Sequence, residues 1–416
     1  MADSERPQHF SDAPERRAGI GFPEFVALCA AIIALGALGI DTMLPALPAI
    51  GQGLGAASPA DWPLVITAFV LGFGLAQPIH GPLADRYGRR PVLLWSLGIY
   101  IVATLVVTAS SDFTLLLVAR FVGGVAVAST RVVPIAMVRD LHAGRAMAKV
   151  TSLIFMVFMA VPVLAPALGQ GILVVGSWRL IFGVIAVFAL IVLGWFAWRM
   201  PETLTPERRV PISVPVIAAN WKVVLTDRLS LGYMLAATAM QGALYGYLNT
   251  IQAIVDRTFG APDMLAAVFA GAAVLLACAN LLNSRIVMRF GTRRISQTAV
   301  LALIVTSLVA LAVEGAGYET LWTFTALQAV TLACFGLTGS NFSAMAMERM
   351  GDIAGTASSV QGFVSVTGGA LLGAAVGLAF DGTTTPLHLA FLIASVTALG
   401  IVAIVERGRM FQPTVH

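Results

Sequence analysis

Apolar runs long enough to cross a bilayer follow one another along most of this chain, with only short polar turns between them. Charged residues are 11% of the 416, against roughly a quarter in soluble proteins, and hydrophobic residues are 58%. Lipid is therefore the expected solvent. In hydrocarbon each backbone N–H and C=O has to be paired inside its own segment or in a closed barrel. The alternation of barrel strands is absent, so the runs read as helices of about 20 residues. Twelve spans are predicted, at 23–46, 62–84, 91–110, 113–138, 150–173 and 179–199, then 229–252, 264–288, 295–315, 320–347, 356–380 and 387–406. The fold class expected is an all-α membrane protein.

Six spans lie on either side of a polar stretch, 200–228, that carries Pro201, Pro206, Pro211 and Pro215 and reads as a linker. The expected organisation is a tail 1–22, a six-helix bundle 23–199, the linker, a second bundle 229–406 and a tail 407–416. Trp221 and Lys222 leave open a helix lying on the membrane surface, with a plain tether the favoured reading. Of the 25 Lys and Arg, only Arg179 and Arg257 fall on one side of this arrangement and Arg120 and Arg131 deep within spans; all others lie in tails, loops or span ends of the opposite side. The positive-inside rule then puts both termini in the cytoplasm. The net charge of +4 reflects this topology and gives no case for nucleic acid. Met1 to Arg17 mixes both signs of charge and lacks the short apolar core of a cleaved signal, so the first span is expected to be retained. Cys29, Cys278 and Cys334 are read as buried free thiols, and no metal-ligand spacing occurs. His80 reads as structural, and His388 has no evident partner.

The turn Gly81-Pro-Leu-Ala-Asp-Arg-Tyr-Gly-Arg-Arg90 returns in fainter form as Arg289-Phe-Gly-Thr-Arg-Arg294, with Gly88 and Gly291 separated by close to half the chain. Duplication of a multi-helix unit leaves such a spacing, and carriers of this kind place substrate between their repeats. Gly88 supplies permissive backbone angles for a tight reversal, and Arg86, Arg89 and Arg90 anchor it on the cytoplasmic side. Asp85 sits among these arginines, within reach of Arg89 or Arg139. An anchoring turn and a functional latch are both open.

Three further motifs accompany the turn. The first span ends Leu38-Gly-Ile-Asp-Thr-Met-Leu-Pro-Ala-Leu-Pro48; the fourth carries Arg120-Phe-Val-Gly-Gly124 and closes on Arg139 and Asp140; the fifth carries Ala165-Pro-Ala-Leu-Gly-Gln170. Together they resemble the signature of the major facilitator superfamily and its drug:proton antiporter branch. Ala128-Ser-Thr-Arg-Val132, Met200-Pro-Glu-Thr203 and Gly355-Thr-Ala-Ser-Ser359 are most similar to the bicyclomycin and chloramphenicol resistance (Bcr/CflA) group. The resemblance implies two pseudo-symmetric six-helix bundles and a cytoplasmic gate built from Gly81, Asp85, Arg86, Gly88, Arg89, Arg90, Arg139 and Asp140. It also implies an antiporter motif at Pro162, Pro166 and Gly169. Ala165 and Gln170 stand where that motif commonly has glycine, which predicts looser packing. Met288 replaces the acid matching Asp85, so a charged latch is expected in the first half alone.

Ionisable groups inside a span are costly unless partnered, and they mark function by default. Asp41 is the only acid well inside a predicted span, and Arg120 and Arg131 are the only deeply placed bases. Helix rise puts Asp41 and Arg120 at similar depth in the outer third, about 10 Å in from the outer end of span four. The expectation is an ion pair broken when Asp41 takes a proton, with a permanent salt bridge as the alternative. Arg131 follows about three turns later on the same face, either to hold a polar substrate group or to bond a neighbouring helix. In span seven Gln241, Tyr245, Asn249 and Gln252 form one stripe. With Gln328, Thr331 and Phe335 of span ten they read as a neutral wall for drug-like molecules, against interhelical bonding. Met156 and Met159 offer an adaptable apolar lining or ordinary packing.

No Gly-x-x-x-x-Gly-Lys-Ser/Thr loop is present, so ATP is an unsuitable driver and no cofactor is expected. The chain reads as a carrier rather than an enzyme: a monomer in a bacterial cytoplasmic membrane, exporting amphipathic toxic compounds in exchange for protons. The competing readings are a proton-coupled importer or metabolite exporter of the same fold, and a membrane receptor or sensor.

Overall fold

A computed structural model describes residues 20–142 and 144–411, in which helices and no strands occur. The first apolar run is a helix, α1 (Phe22–Asp41), that breaks at Thr42 and continues through a 3-10 turn, Leu44–Ala46, into α2 (Leu47–Gly53). Pro45 and Pro48 explain the interruption, since neither can donate a backbone hydrogen bond to the preceding turn. There follow α3 (Leu64–Tyr87), α4 (Arg89–Ala109), α5 (Phe113–Val127), α6 (Ser129–Leu141), α7 (Gly144–Val175) and α8 (Trp178–Arg199). After the linker helix α9 (Val214–Thr226) come α10 (Arg228–Ala253), α11 (Leu265–Phe290), α12 (Thr292–Gly315), α13 (Leu321–Met347), α14 (Ala354–Leu378) and α15 (Thr385–Val405).

Ten helical stretches among the described residues are long and apolar enough to cross a membrane, two fewer than expected. The difference has two sources. In α7 only Leu164–Val175 counts towards an apolar stretch among the described residues. α10 is 26 residues long but carries Gln241, Tyr245, Asn249 and Gln252, which dilute its apolar character.

The same packing scheme appears twice. α3 packs on α5, α4 on α5 and α8, and α1 on α7; in the second half α11 packs on α13, α12 on α13 and α15, and α10 on α14. The halves meet where α3 crosses α14 and α7 crosses α11. Lipid gives helices no hydrophobic reason to associate, so close approach between small residues and interhelical bonds has to hold them.

The linker departs from a plain tether, since α9 lays Trp221 on Phe363 of α14, 5.6 Å between ring centroids. The cysteines are free, but Cys278 is exposed and Cys334 half-buried, so only Cys29 is enclosed. His388 does have a partner: its Nε2 lies 2.9 Å from Glu319 Oε1, both side chains are buried, and Thr384 donates to the same carboxylate.

Candidate functional site

The site begins where α1 stops. A helix ending at Asp41 leaves its last carbonyls without intrahelical donors. Arg120 supplies one: its Nη2 donates to Gly39 O at 2.8 Å and its Nε to Val65 O at 3.2 Å, while the guanidinium lies 4.1 Å over the Phe69 ring and 5.6 Å from that of Phe182. The expected ion pair with Asp41 is absent. Arg120 is at the right level but is committed to capping the carbonyl end of α1, where a cation is favoured by the helix dipole, and to an aromatic sandwich. Sequence spacing gave the depth and not the orientation.

Asp41 is left 6% exposed, with no hydrogen bond or ion pair among the described residues. Across the interface, the hydroxyls of Tyr245 and Tyr247 on α10 come within electrostatic reach of its carboxylate. Tyr245 also bonds Gln241 and feels the charge of Arg131. Arg131 is exposed and has no ion pair among the described residues, and the hydroxyl of Tyr245 from the other half lies within its electrostatic reach.

The polar stripe of α10 is largely enclosed. Tyr245, Asn249 and Gln252 are 9%, 4% and 7% exposed. A Cβ on Gly377 would stand 3.2 Å from that of Asn249 and 3.7 Å from Pro63, so Asn249 is packed against α14 rather than lining a free wall. Gln328 is buried with both amide atoms unpartnered among the described residues, as are Tyr247 Oη and Asn249 Oδ1. Phe335 is half-buried. The side chains of Met156 and Pro162 lie outside the described residues.

The repeated turn after α3 is built around three carboxylates, Asp85, Asp140 and Glu202. Gly88 has φ +106°, a conformation that suits glycine. Arg89 Nη1 meets Asp85 Oδ1 at 2.5 Å and its Nε meets Asp140 Oδ2 at 3.0 Å. Glu202, just past α8, accepts the backbone N–H groups of Arg89, Arg90 and Leu204 at 2.9, 3.1 and 3.0 Å. Arg90 donates to Met200 O and Ala197 O, and Thr203 to Asp140. Arg86 lies over Tyr87 instead of joining the cluster. Asp85 therefore turns to Arg89 in its own half. Against α14 the approach is made by Gly81, whose Cβ would stand 3.7 Å from Ser359 Oγ, and by Arg139 Nη1, 3.9 Å from a Cβ on Gly355.

The second half has a charged cluster of its own, contrary to the expectation drawn from Met288. Arg293 bonds Glu348 at 3.0 Å and Glu406 at 2.8 Å, and Tyr233 donates to Glu406 at 2.7 Å. Its acids come from the ends of α13 and α15, so the residue matching Asp85 is not needed.

At the end of the bundle away from the turn around Gly88, α7 presses on the break after α1. A Cβ on Gly169 would come within 3.0 Å of the Thr42 carbonyl carbon and 3.1 Å of Pro45 Cγ. Packing here is tight, not loose. Gln170 crosses between halves, its Nε2 donating to Pro262 O at 3.2 Å, and Arg257 lies 4.8 Å over the ring of Trp62. Pro166 is buried in a helix that continues past it. Beside these contacts opens a cavity of about 410 Å³, with Pro45, Gln170, Gln252, Asp256 and Asp263 in its lining.

Sequence reasoning missed Glu202, Asp256 and the Glu24–Arg199 pair, 2.6 Å apart, that ties the start of α1 to the end of α8. The acid in Met200-Pro-Glu-Thr203 was the one visible signal. Among the described residues no cluster of His, Cys, Asp and Glu is arranged to hold a metal.

The sequence profile described as Major Facilitator Superfamily matches residues 28–374. The chain is 30% identical over 352 residues to the bicyclomycin resistance protein homolog of Haemophilus influenzae, spanning 84% of this chain and 87% of that one. It is 29% identical over 386 residues to the multidrug resistance protein MdtL of Klebsiella pneumoniae, spanning 90% and 95%. The crystal structure of the human organic anion transporter MFSD10 (TETRAN) shares the fold, with a TM-score of 0.64 at 22% identity over 94% of this chain and 99% of that one.

Proposed function

Because the chain belongs to the major facilitator superfamily, whose members are membrane transporters and not enzymes, we propose that it is a proton-coupled exporter of small amphipathic toxic compounds, working by alternating access. The resistance-linked names of its bacterial relatives support export, a drug-like substrate and a bacterial cytoplasmic membrane. α7 with 32 residues and α10 with 26 are long enough to serve as two further spans, which supports a twelve-span reading; in that reading the carrier is a monomer with both termini cytoplasmic.

One observation carries the proposal: Asp41 is a buried carboxylate without a partner among the described residues. An unpaired charge in a low-dielectric core is expensive, and here it also stands at the carbonyl end of a helix, the unfavourable end for an anion. Taking up a proton removes both costs. Arg120 does not neutralise Asp41; it fixes the end of α1 on which Asp41 is mounted. Protonation from outside then competes with substrate for the space that Asp41, Tyr245, Tyr247 and Arg131 share. Substrate contacts fall to Arg131, Gln241, Tyr245, Gln328 and Phe335, and the cluster of Asp85, Arg89, Asp140 and Glu202 holds the cytoplasmic end of the first half as one body during the exchange.

The test is drug accumulation in inverted membrane vesicles with an acid lumen, wild type beside Asp41→Asn. The wild type should concentrate drug, and the variant should insert normally and lose at least tenfold of the acid-driven rate. Undiminished accumulation by Asp41→Asn would overturn the mechanism.

A further inference from the structure

The outer cavity is separated from Asp41 by very little chain. Pro45 lines the cavity, and at helical rise it stands about 6–8 Å along the chain from Asp41. Between them Thr42 is fully buried with its Oγ1 unpartnered among the described residues, and Met43 and Leu44 are fully buried. From the other half, Gln252 reaches the cavity and donates to Asp256 Oδ2 at 3.3 Å, just where α10 gives way to a π-helical turn, Ile254–Thr258. Such turns recur at functional sites. One turn below, the buried Asn249 Oδ1 also lacks a donor among the described residues. Buried orphan acceptors call for water.

The charge lining the cavity has one sign. Asp256 and Asp263 are the charged residues in its wall; Arg257, next in the chain, is laid over Trp62, and Gln170 and Gln252 are neutral amides. A concave surface carrying two carboxylates and no cation concentrates protons.

We propose that this cavity is the antechamber from which protons of the outer face reach Asp41, with Asp256 and Asp263 as the groups that gather them. The inference rests on Asp41 being the group that carries the proton. A hydronium in the cavity gives up its proton, an O–H bond forms on an Asp41 carboxylate oxygen, and water remains behind; nothing is oxidised or reduced. Thr42, Met43 and Leu44 form the seal that has to part for the transfer, and Thr42 Oγ1 is the polar atom next to Asp41 along that route.

The experiment uses the full chain in inverted vesicles, whose lumen is the outer side, and records acid-driven drug uptake against lumenal pH. It compares the wild type with Asp256→Asn/Asp263→Asn and the conservative Asp256→Glu/Asp263→Glu. The amide variant should be about tenfold slower at near-neutral lumenal pH and recover when the lumen is about one unit more acid, while the Glu variant follows the wild type. Asp263 is exposed, so Asp263→Asn alone keeps the shift readable if the double variant fails to fold. Superimposable pH profiles in a carrier that is acid-driven and needs Asp41 would overturn the antechamber alone. Absence of acid drive in the wild type would instead overturn the proton-coupled reading beneath it.

Discussion

Gly169→Ala is the sharpest probe of how α7 is seated on the broken first helix. The new methyl would stand 3.0 Å from the Thr42 carbonyl carbon and 3.1 Å from Pro45 Cγ, with the carbonyl oxygen nearer still. A backbone carbonyl cannot rotate aside as a side chain tip can, so α7 has to move by about 1 Å in an interior as dense as a crystal. Overpacking of this kind costs about 1–3 kcal/mol. An unfolding entropy of roughly 2.1 cal/mol/K per residue gives about 0.9 kcal/mol/K for a chain of this length, so the melting temperature should fall by about 1–3 °C. Gly171→Ala is the control: it lies on the same helix, and its Cβ would meet nothing within 4 Å. That change should be neutral or slightly stabilising, because alanine restricts the unfolded chain. Thermal unfolding in detergent, followed by intrinsic fluorescence, reads both. Equal melting temperatures for the two variants would refute the claim that α7 is clamped at Thr42. Acid-driven transport should also fall in Gly169→Ala alone, because the displaced helix carries the Gln170 bridge to Pro262.

Two further substitutions test the supports of the site. Glu202→Gln keeps the shape of the side chain but removes the charge that receives three backbone N–H groups at the turn around Gly88, so a loss of about 1–2 kcal/mol is expected. Faster proteolytic cleavage of the linker should report it, and unchanged cleavage would count against Glu202 as the anchor. Arg120→Lys cannot span the Gly39 and Val65 carbonyls with a fork of donors. The melting temperature should fall as for a loss of about 1–3 kcal/mol, and a variant as stable as the wild type would show that capping of α1 does not depend on the guanidinium.

Much of the architecture was legible because lipid leaves so few choices. A chain with this distribution of apolar runs has to form helices, and the repeat around Gly88 and Gly291 already suggested the doubling that the packing of α3 on α5 and α11 on α13 displays. The motif resemblance to the superfamily and its bicyclomycin-resistance group agrees with the relatives found. The motif offered Arg89 as one of two partners for Asp85, and the two do meet; the second bond of Arg89, to Asp140, was not foreseen. What could not be read is where each polar group spends its hydrogen bonds. Arg120 and Asp41 share a level in the membrane, yet whether they pair depends on where α1 ends and which carbonyl is left bare. The second-half cluster escaped notice because Arg293 draws on Glu348 and Glu406 from two other helices, a combination with no fixed sequence offset. The stripe on α10 was visible as a period, but its packing on Gly377 depends on α14.

The linker's anchorage sets a mechanical bound. Glu202 and Thr203 fasten its start to the first half, and Val210 N is bonded to Asp85 O, while Trp221 in α9 is seated on Phe363 of the second. The free leash is therefore only the few residues between Val210 and Val214, where α9 begins. Fully stretched, that piece reaches about 14 Å. While both moorings hold, the two halves can swing apart on this flank by no more than that length allows, so any rocking of one half against the other is capped by covalent chain as well as by contact.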